Sequence, residues 1–166
     1  MRAVTRCAMV ALILIGCIAC DQVSKSAARQ YLPGTGIRSY FADTFRLEYA
    51  QNPGAFLSLG DSLPPAVRYD ALVIGVGAFL IALMAWAVLS ARLAGSQRIA
   101  IAAIGAGGAS NLIDRIRFDG AVTDFLNLGI GSLRTGIFNV ADVILMFGLV
   151  LLVFRWNVRR HGPDEI

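Results

Sequence analysis

Four long apolar stretches, separated by polar segments, dominate the chain at about residues 7–21, 70–91, 98–114 and 137–155. An α-helix rises about 1.5 Å per residue, so the second stretch is long enough to cross a hydrocarbon core about 30 Å thick. The first and third are shorter and must end with polar residues inside the interface or inside a bundle. Because no internal repeat or low-complexity linker interrupts it, residues 1–166 are predicted to form one all-α membrane domain with four transmembrane helices.

The connection between the first two stretches, residues 22–69, is too long for a hairpin. Turn signals occur in it at Pro33-Gly34, at Asn52-Pro53-Gly54 and at Pro64-Pro65. Between them, residues 45–49 alternate apolar and polar side chains, as a half-buried strand does. We therefore expect an outer loop that carries a small β element.

The composition supports a membrane protein. Of 166 residues, 57% are hydrophobic and 16% are charged, and the mean hydropathy is +0.66. The net charge of +4 comes from scattered Lys and Arg residues, without the basic runs and interleaved aromatic residues that bind nucleic acids. A nucleic acid partner is therefore not expected.

The beginning of the chain also allows a lipoprotein reading. Leu14-Ile15-Gly16-Cys17 looks like the site at which bacterial lipoproteins are lipidated and cut, and Arg2 and Arg6 supply a basic start. A lipoprotein should continue as a polar soluble domain after the cysteine, whereas three more apolar stretches follow here. A retained first transmembrane helix is therefore the better prediction, and Cys7, Cys17 and Cys20 are expected to be packing residues within it.

The orientation follows from basic residues that flank the apolar stretches closely. On one side these are Arg2, Arg6, Arg92, Arg98, Arg155, Arg159 and Arg160. By the positive-inside rule this side, with both termini, is expected to be cytoplasmic. The other side also carries basic residues, so the prediction depends on the density of charge in the short flanks. The β element of the outer loop is then extracytoplasmic.

With this orientation, polar groups from three helices meet near the outer surface. They are Asp21 at the end of the first stretch, Asn111, Asp114 and Arg115 at the end of the third, and Asn139 and Asp142 at the start of the fourth. Spacings of three and four residues place the members of each set on one helix face. We expect them to project toward a common site, although Asp142 as a simple interfacial carboxylate in water is the alternative.

Elimination narrows the chemistry of this site. The single histidine, His161, lies in the tail, which excludes a zinc protease or a histidine-based triad. Neither Ser110 nor the adjacent Ser24 and Lys25 have the sequence surroundings of a serine nucleophile. The chemistry expected at this site requires no metal or cofactor. A pair of aspartates remains, Asp142 with one partner among Asp21, Asp114, Asp119 and Asp124. A proton channel is the rival hypothesis, but it needs acidic groups along the whole path across the bilayer.

Five ordered blocks then carry a resemblance to the bacterial lipoprotein signal peptidase (signal peptidase II) family. They are DQVSK at 21–25, NPGAF at 52–56, GGASNLIDR at 107–115, VTDF at 122–125 and FNVAD at 138–142. Ser110 stands where the family usually has glycine. The second block reads GAF where GAAF is common, which leaves the equivalence of Phe56 open by one residue.

The resemblance implies that Asp124 and Asp142 are the catalytic pair of an aspartic endopeptidase in the bacterial inner membrane. It implies a four-helix fold with a small sheet and a short surface helix, and sensitivity to globomycin-type inhibitors. The implied substrate is a diacylglyceryl-modified prolipoprotein in contact with membrane lipids, cut on the N-terminal side of the lipidated cysteine.

We expect two further groups of residues to assist the aspartates. Substrate binding or orientation is expected of Asn52, Gly54, Asn111, Arg115 and Asn139, although helix contacts or turn formation would explain them equally. A structural or supporting role is expected of Asp21, Lys25, Gly108 and Asp114.

Overall fold

Five helices and four strands build the structure, a computed structural model that describes residues 2–54 and 64–160. The helices are α1 (Ala3–Tyr31), α2 (Pro65–Tyr69), α3 (Val76–Leu89), α4 (Gly95–Arg117) and α5 (Val140–Arg160). A π-helical segment, Asp70–Gly75, joins α2 to α3, so Pro65–Leu89 is one continuous helix. Phe56 lies outside the described residues.

Three helices in the described ranges are long and apolar enough to cross a membrane: Ala3–Tyr31, Pro65–Leu89 and Gly95–Arg117. Helix α5 coincides with the fourth predicted stretch, and its membrane crossing stays a prediction. No separate short surface helix occurs in 2–54 or 64–160, because α2 runs directly into the π-helical segment. The chain is thus mostly helical, as expected, with a small antiparallel sheet.

Helix α1 continues beyond the end that hydropathy predicts. The apolar stretch ends at about residue 21, but the helix runs to Tyr31 and takes the first part of the predicted outer loop, 22–69. Asp21, Lys25 and Ala28 are buried there on one face. Helix α1 passes Cys17 without a break and packs on α4, and its retention in the mature protein stays a prediction.

The sheet has the order β1-β2-β3-β4 and is antiparallel throughout. Strands β1 (Arg38–Tyr40) and β2 (Phe45–Asn52) lie in the outer loop, where the alternating pattern predicts strands. Strands β3 (Val122–Ile130) and β4 (Leu133–Arg134) come from the segment between α4 and α5, for which the pattern made no prediction. The β2–β3 pairing places Asn52 opposite Val122, so both strand ends reach the same edge.

Close contact between α4 and α5 sets the position of the α5 N-terminus. A Cβ atom on Gly107 would lie 2.5 Å from the carbonyl oxygen of Ala141, and one on Gly148 would lie 2.7 Å from that of Ala100. Only glycine allows this spacing. Gly108 faces α3 instead, where a Cβ would lie 2.8 Å from a methyl carbon of Leu80.

Two apolar clusters hold the remaining elements. Val10, Ala87, Ile101 and Ala102 join α1, α3 and α4, and Ala28, Leu32 and Phe125 join α1 to β3. The second cluster fixes the strand that carries Asp124, because Phe125 is the next residue. At the opposite end of the bundle, Arg6 Nη1 donates to the carbonyl oxygen of Leu89 at 3.3 Å, which joins α1 to the end of α3.

Candidate active site

Asp124 and Asp142 line one cavity of about 500 Å³, although they belong to different elements. Asp124 lies on β3 and is 3% exposed, whereas Asp142 lies in the first turn of α5 and is half-buried. The polar part of the wall also includes Asn52, Asn111, Arg115, Thr135 and Asn139. The apolar part continues along α5 through Val143, Met146, Phe147 and Val150.

Both oxygens of Asp124 accept hydrogen bonds from amide side chains. Asn139 Nδ2 donates to Oδ1 at 2.7 Å, and Asn52 Nδ2 donates to Oδ2 at 3.0 Å. Asn52 Oδ1 accepts the backbone N–H of Gly54 at 3.0 Å, which orients the amide with its NH2 group toward the carboxylate.

Asp142 belongs to the structure that starts helix α5. Its Oδ2 accepts the backbone N–H of Asn139 at 3.0 Å, and its own N–H donates to Asn139 Oδ1 at 3.0 Å. This reciprocal pair is a capping box, and the positive end of the helix dipole favours a carboxylate in this turn. Asn111 Nδ2 donates to the second oxygen, Oδ1, at 2.9 Å.

Lys25 determines how the amides point. Its ammonium group donates to Asn111 Oδ1 at 2.7 Å, so the NH2 group of Asn111 must face Asp142. Asn139 Nδ2 donates to the same Asn111 oxygen at 3.1 Å as well as to Asp124. The hydrogen bonds therefore link the two carboxylates through two neutral amides.

Burial raises the pKa of Asp124 to about 6. Hydrogen bonds from Asn52 and Asn139 lower this pKa in part, the neighbouring charge of Asp142 raises it, and Lys25 lowers it. A carboxyl group of this kind can hold a proton far closer to neutrality than an exposed aspartate can.

Arg115 lines the cavity and has one donor without a partner among the described residues. Its Nη2 donates to the carbonyl oxygen of Gly54 at 2.8 Å, while its Nε is buried and has no hydrogen-bond partner among the described residues. The residue is 8% exposed, so this N–H does not reach bulk water. A buried donor without a partner is costly, and a bound ligand could satisfy it.

A second polar cluster lies directly behind the cavity; we call it the closed cluster. It consists of Asp21, Gln22, Lys25, Ser110 and Asp114. Lys25 Nζ lies 2.8 Å from Asp21 Oδ2 and 3.3 Å from Asp114 Oδ2, and the three side chains are 0% exposed. Asp21 also accepts Ser110 Oγ at 2.7 Å and the N–H of Ala141 at 2.8 Å.

The structure separates the residues that sequence spacing grouped together. Asn111 and Arg115 face the cavity, but Asp114 turns away toward α1 and accepts Gln22 Nε2 at 2.9 Å. The expectation that all three project to a common point was therefore wrong for Asp114. Asp119 is exposed in the turn after α4 and does not line the cavity.

The serine alternatives are also accounted for. Ser110 Oγ donates to Asp21, and Ser24 Oγ donates to the carbonyl oxygen of Asp21 at 2.7 Å. Both hydroxyl groups thus stabilise α1 and its contact with α4. In residues 2–54 and 64–160 no group of three His, Cys, Asp or Glu side chains could hold a metal ion.

Sequence reasoning missed several polar contacts of this region. Asp114 accepts hydrogen bonds from Gln22 Nε2 and from the backbone N–H of Thr123, and it forms an ion pair with Arg29. The spacing of Asp21, Lys25 and Arg29, four residues apart, was the available signal for one polar face on α1. The apolar wall on α5 has a similar signal, since 143, 146, 147 and 150 share a helix face.

Comparison with known proteins places this fold and site in context. The fold is that of two solved bacterial membrane enzymes, with TM-scores of 0.82 and 0.75 and 24% identity to each. The first match covers 96% of this chain and 93% of the solved one, and the second covers 90% and 92%. The matches show the fold class: a mostly helical chain whose described part has three helices long and apolar enough to cross a membrane, with a small antiparallel sheet.

Sequence comparison names the family. The family model described as signal peptidase (SPase) II matches residues 13–158. The lipoprotein signal peptidase of Desulforapulum autotrophicum is 33% identical over 93% of both chains. Those of Borreliella burgdorferi (31% identity, 89% of both chains) and Streptococcus pneumoniae (34% identity, 88% of this chain and 90% of the relative) are similar. The chain belongs to the signal peptidase II family, a family of membrane proteases that remove lipoprotein signal peptides.

Proposed function

We propose that this chain is an aspartic endopeptidase in which Asp124 and Asp142 together activate a water molecule. The substrate is a diacylglyceryl-modified prolipoprotein, and the bond cut is on the N-terminal side of the lipidated cysteine. One observation carries the proposal: two carboxylates share a cavity and are linked by neutral amides, with no ion pair to either of them among the described residues.

Such a pair shares one proton. Two negative charges close together in a poorly solvated place repel each other strongly, so the second ionisation is suppressed. The ionised carboxyl group takes a proton from water as the water oxygen attacks the scissile carbonyl carbon. The protonated group donates to the carbonyl oxygen, and the leaving nitrogen then takes a proton as the C–N bond breaks.

The hydrogen bonds around the carboxylates suit this exchange. Each of the four oxygens accepts one hydrogen bond from the described residues, and each oxygen has two lone pairs. The second lone pairs are left for the shared proton and the water. Because all four donors are amides, they orient both carboxylates without neutralising them.

Arg115 and Gly54 supply a place for the substrate backbone. The free Nε of Arg115 can donate to a peptide carbonyl, and its other end is held by the carbonyl oxygen of Gly54. Asn52 and Gly54 form a turn at the edge of the cavity, next to Asp124. We assign these residues to binding the peptide near the scissile bond.

The apolar wall of the cavity fits the lipid part of the substrate. Val143, Met146, Phe147 and Val150 lie at helical spacing on α5, and all four are between 45% and 63% exposed. An apolar strip that begins beside Asp142 and runs along a membrane helix suits an acyl chain that approaches from the surrounding lipids. The same cavity is the binding site we assign to a globomycin-type inhibitor.

The proposed topology follows from the basic helix ends. Four helices cross the bacterial inner membrane as one domain, residues 1–166, with both termini in the cytoplasm. The α5 N-terminus, with Asp142, then lies near the outer face, and the sheet lies outside the membrane.

The proposal is tested by cleavage of defined prolipoproteins. The purified protein in detergent is incubated with a diacylglyceryl-modified prolipoprotein and, as the control, with the same protein left unmodified. We expect cleavage of the modified substrate alone, with the lipidated cysteine as the new N-terminus by mass spectrometry. Equal cleavage of both substrates, or a cut at another bond, would contradict the proposed specificity.

A further inference from the structure

Thr123, the residue before Asp124, is held from two helices at once. It is 0% exposed on β3, and its backbone N–H donates to Asp114 Oδ2 on α4 at 3.0 Å. Its hydroxyl Oγ1 accepts Arg29 Nη1 on α1 at 3.0 Å, and Gln51 Nε2 lies 3.4 Å from the same oxygen. The backbone N–H and the hydroxyl group of this strand residue are therefore both bound by charged side chains.

Arg29 is itself well fixed. Its guanidinium carbon lies 4.7 Å from the centre of the Phe118 ring, and its Nη1 lies 3.8 Å from Asp114 Oδ1. Asp114 is 0% exposed and is bound in turn by Lys25 and Gln22. Arg29, Asp114 and Thr123 thus form a closed triangle of contacts, which we call the Thr123 clamp.

The clamp lies next to the cavity without entering it. Successive strand side chains point to opposite faces, so the clamp grips the face opposite to Asp124. Val122 and Asp124 line the cavity, whereas Thr123 does not. A role in binding substrate directly is therefore excluded by geometry for Thr123.

We propose that Arg29 and Thr123 are positioning residues that hold Asp124 at the distance from Asp142 that hydrolysis requires. This inference rests on the proposed function of the two aspartates. Asp142 is fixed by its own helix cap, whereas Asp124 lies on a sheet strand that the apolar contacts of Phe125 hold to α1 on one side of Asp124 only. The Thr123 clamp ties that strand to α1 and α4, one residue from the carboxylate.

The test compares a substitution that removes the hydroxyl group of Thr123 with one that keeps it. Thr123→Val keeps the branched shape and removes the acceptor, and Thr123→Ser keeps the hydroxyl group. Since small displacements of a reacting group are costly, we expect Thr123→Val to lower kcat by about tenfold with KM changed less than about twofold. Thr123→Ser should stay within about twofold of the parent. Thr35→Val is the matched control, because Thr35 is exposed and its hydroxyl only donates to Leu32 at 2.8 Å.

Arg29→Met provides a second variant in case Thr123→Val does not fold. It should lower kcat at least as much as Thr123→Val does, because it also removes the contacts with Asp114 and Phe118. The double variant should be no slower than Arg29→Met, because the contact between Arg29 and Thr123 is already lost there. Parent-level kcat in Thr123→Val and Arg29→Met, or a Thr123→Ser variant as slow as Thr123→Val, would overturn the clamp.

A readout without substrate separates this inference from the proposed function. The titration of the Asp124 carboxyl group can be followed by isotope-edited infrared spectroscopy. A strand released from the clamp admits water, so the pKa of Asp124 should fall below its value of about 6 in Thr123→Val. If the parent does not cleave prolipoprotein, the proposed function fails. The clamp is overturned independently, by an Asp124 pKa that is unchanged in Thr123→Val and in Arg29→Met.

Discussion

Two groups of carboxylates lie side by side in this molecule and differ in the charge of the groups that bind them. Asp21 and Asp114 are 0% exposed and form ion pairs with the buried ammonium group of Lys25. Asp124 and Asp142 accept hydrogen bonds from neutral amides and open onto a cavity. The first pair lies against a buried cation, whereas the second lines the cavity without an ion pair among the described residues.

The difference shows that a polar group in a membrane protein can either stabilise the fold or stay available for proton transfer. A buried ion pair that is also held by several hydrogen bonds gives a single rigid arrangement. Amide donors orient carboxylates without fixing their ionisation state. If this contrast is correct, substitutions in the two groups must differ in whether they affect activity or stability.

The largest effect is expected from the cavity pair. Asp124→Asn and Asp142→Asn should each lower the cleavage rate of diacylglyceryl-modified prolipoprotein by about 10³-fold or more, because an amide can neither accept the water proton nor donate as an acid. Both variants should remain folded, as judged by thermal unfolding in detergent. The cleavage rate is measured under single-turnover conditions from the change in the gel mobility of the substrate.

Asp119→Asn is the matched control for these variants. Asp119 is an exposed aspartate in the turn before β3 with a φ of 52°, a conformation that asparagine also tolerates. Its substitution should leave cleavage unchanged. Substantial activity in Asp124→Asn or Asp142→Asn would remove that residue from the proposed pair.

Loss of the central cation of the closed cluster should act on stability. Lys25→Met leaves Asp21 buried without its counter-charge and leaves Asp114 with only Arg29, 3.8 Å away, and breaking such a buried pair costs about 3–5 kcal/mol. We expect a matching loss in the free energy of unfolding, measured by denaturant or thermal unfolding in detergent micelles. Arg38→Met, which removes an exposed arginine, is the control and should change stability little.

If Lys25→Met had the same free energy of unfolding as the parent, the contrast between the two groups of carboxylates would be wrong. Activity is a secondary readout in this variant, because Asn111 also loses the partner that orients it toward Asp142. A stable Lys25→Met protein with reduced kcat would move Lys25 from the structural group to the positioning group.

The sequence predicted the helices, and it predicted that Asn139 and Asp142 share one helix face, for clear physical reasons. Apolar runs mark membrane spans, and Asn139 and Asp142, three residues apart, were expected to act together. The structure shows that pair as one reciprocal helix cap. Local spacing is sufficient here because both residues belong to the same turn.

The partner of Asp142 could not be chosen by spacing alone. Asp124 reaches the cavity through the β2–β3 pairing and through the packing of Phe125 on Ala28 and Leu32, and these contacts join segments far apart in the chain. The resemblance to the family selected Asp124.

Hydropathy did not predict the C-terminal part of α1, from about residue 22 to Tyr31, for a related reason. Its buried residues include Asp21 and Lys25, which satisfy each other, so a buried face looks like a polar loop in the sequence.

A smaller effect is expected from the apolar wall of the cavity. Met146→Ala removes apolar surface that would contact an acyl chain, worth about 1–2 kcal/mol, and should lower kcat/KM for lipidated substrate by about tenfold, mostly through KM. Leu149→Ala is the control, since Leu149 is on α5 but does not line the cavity. Equal effects of the two substitutions would show that this strip does not bind the lipid.

The smallest effect sharpens the comparison at the level of a single proton. Burial is the main reason that the pKa of Asp124 is raised to about 6, and the charge of Asp142 adds to it. In Asp142→Asn this pKa should therefore fall, yet stay above the ordinary value of 3.8, because burial persists. In the parent, ionised Asp124 destabilises the fold above pH 6, and this destabilisation disappears as the pH falls from 6 toward 3.8. Infrared titration of labelled aspartate in both proteins measures the shift; an Asp124 pKa unaffected by loss of Asp142 would mean that the two carboxyl groups do not interact.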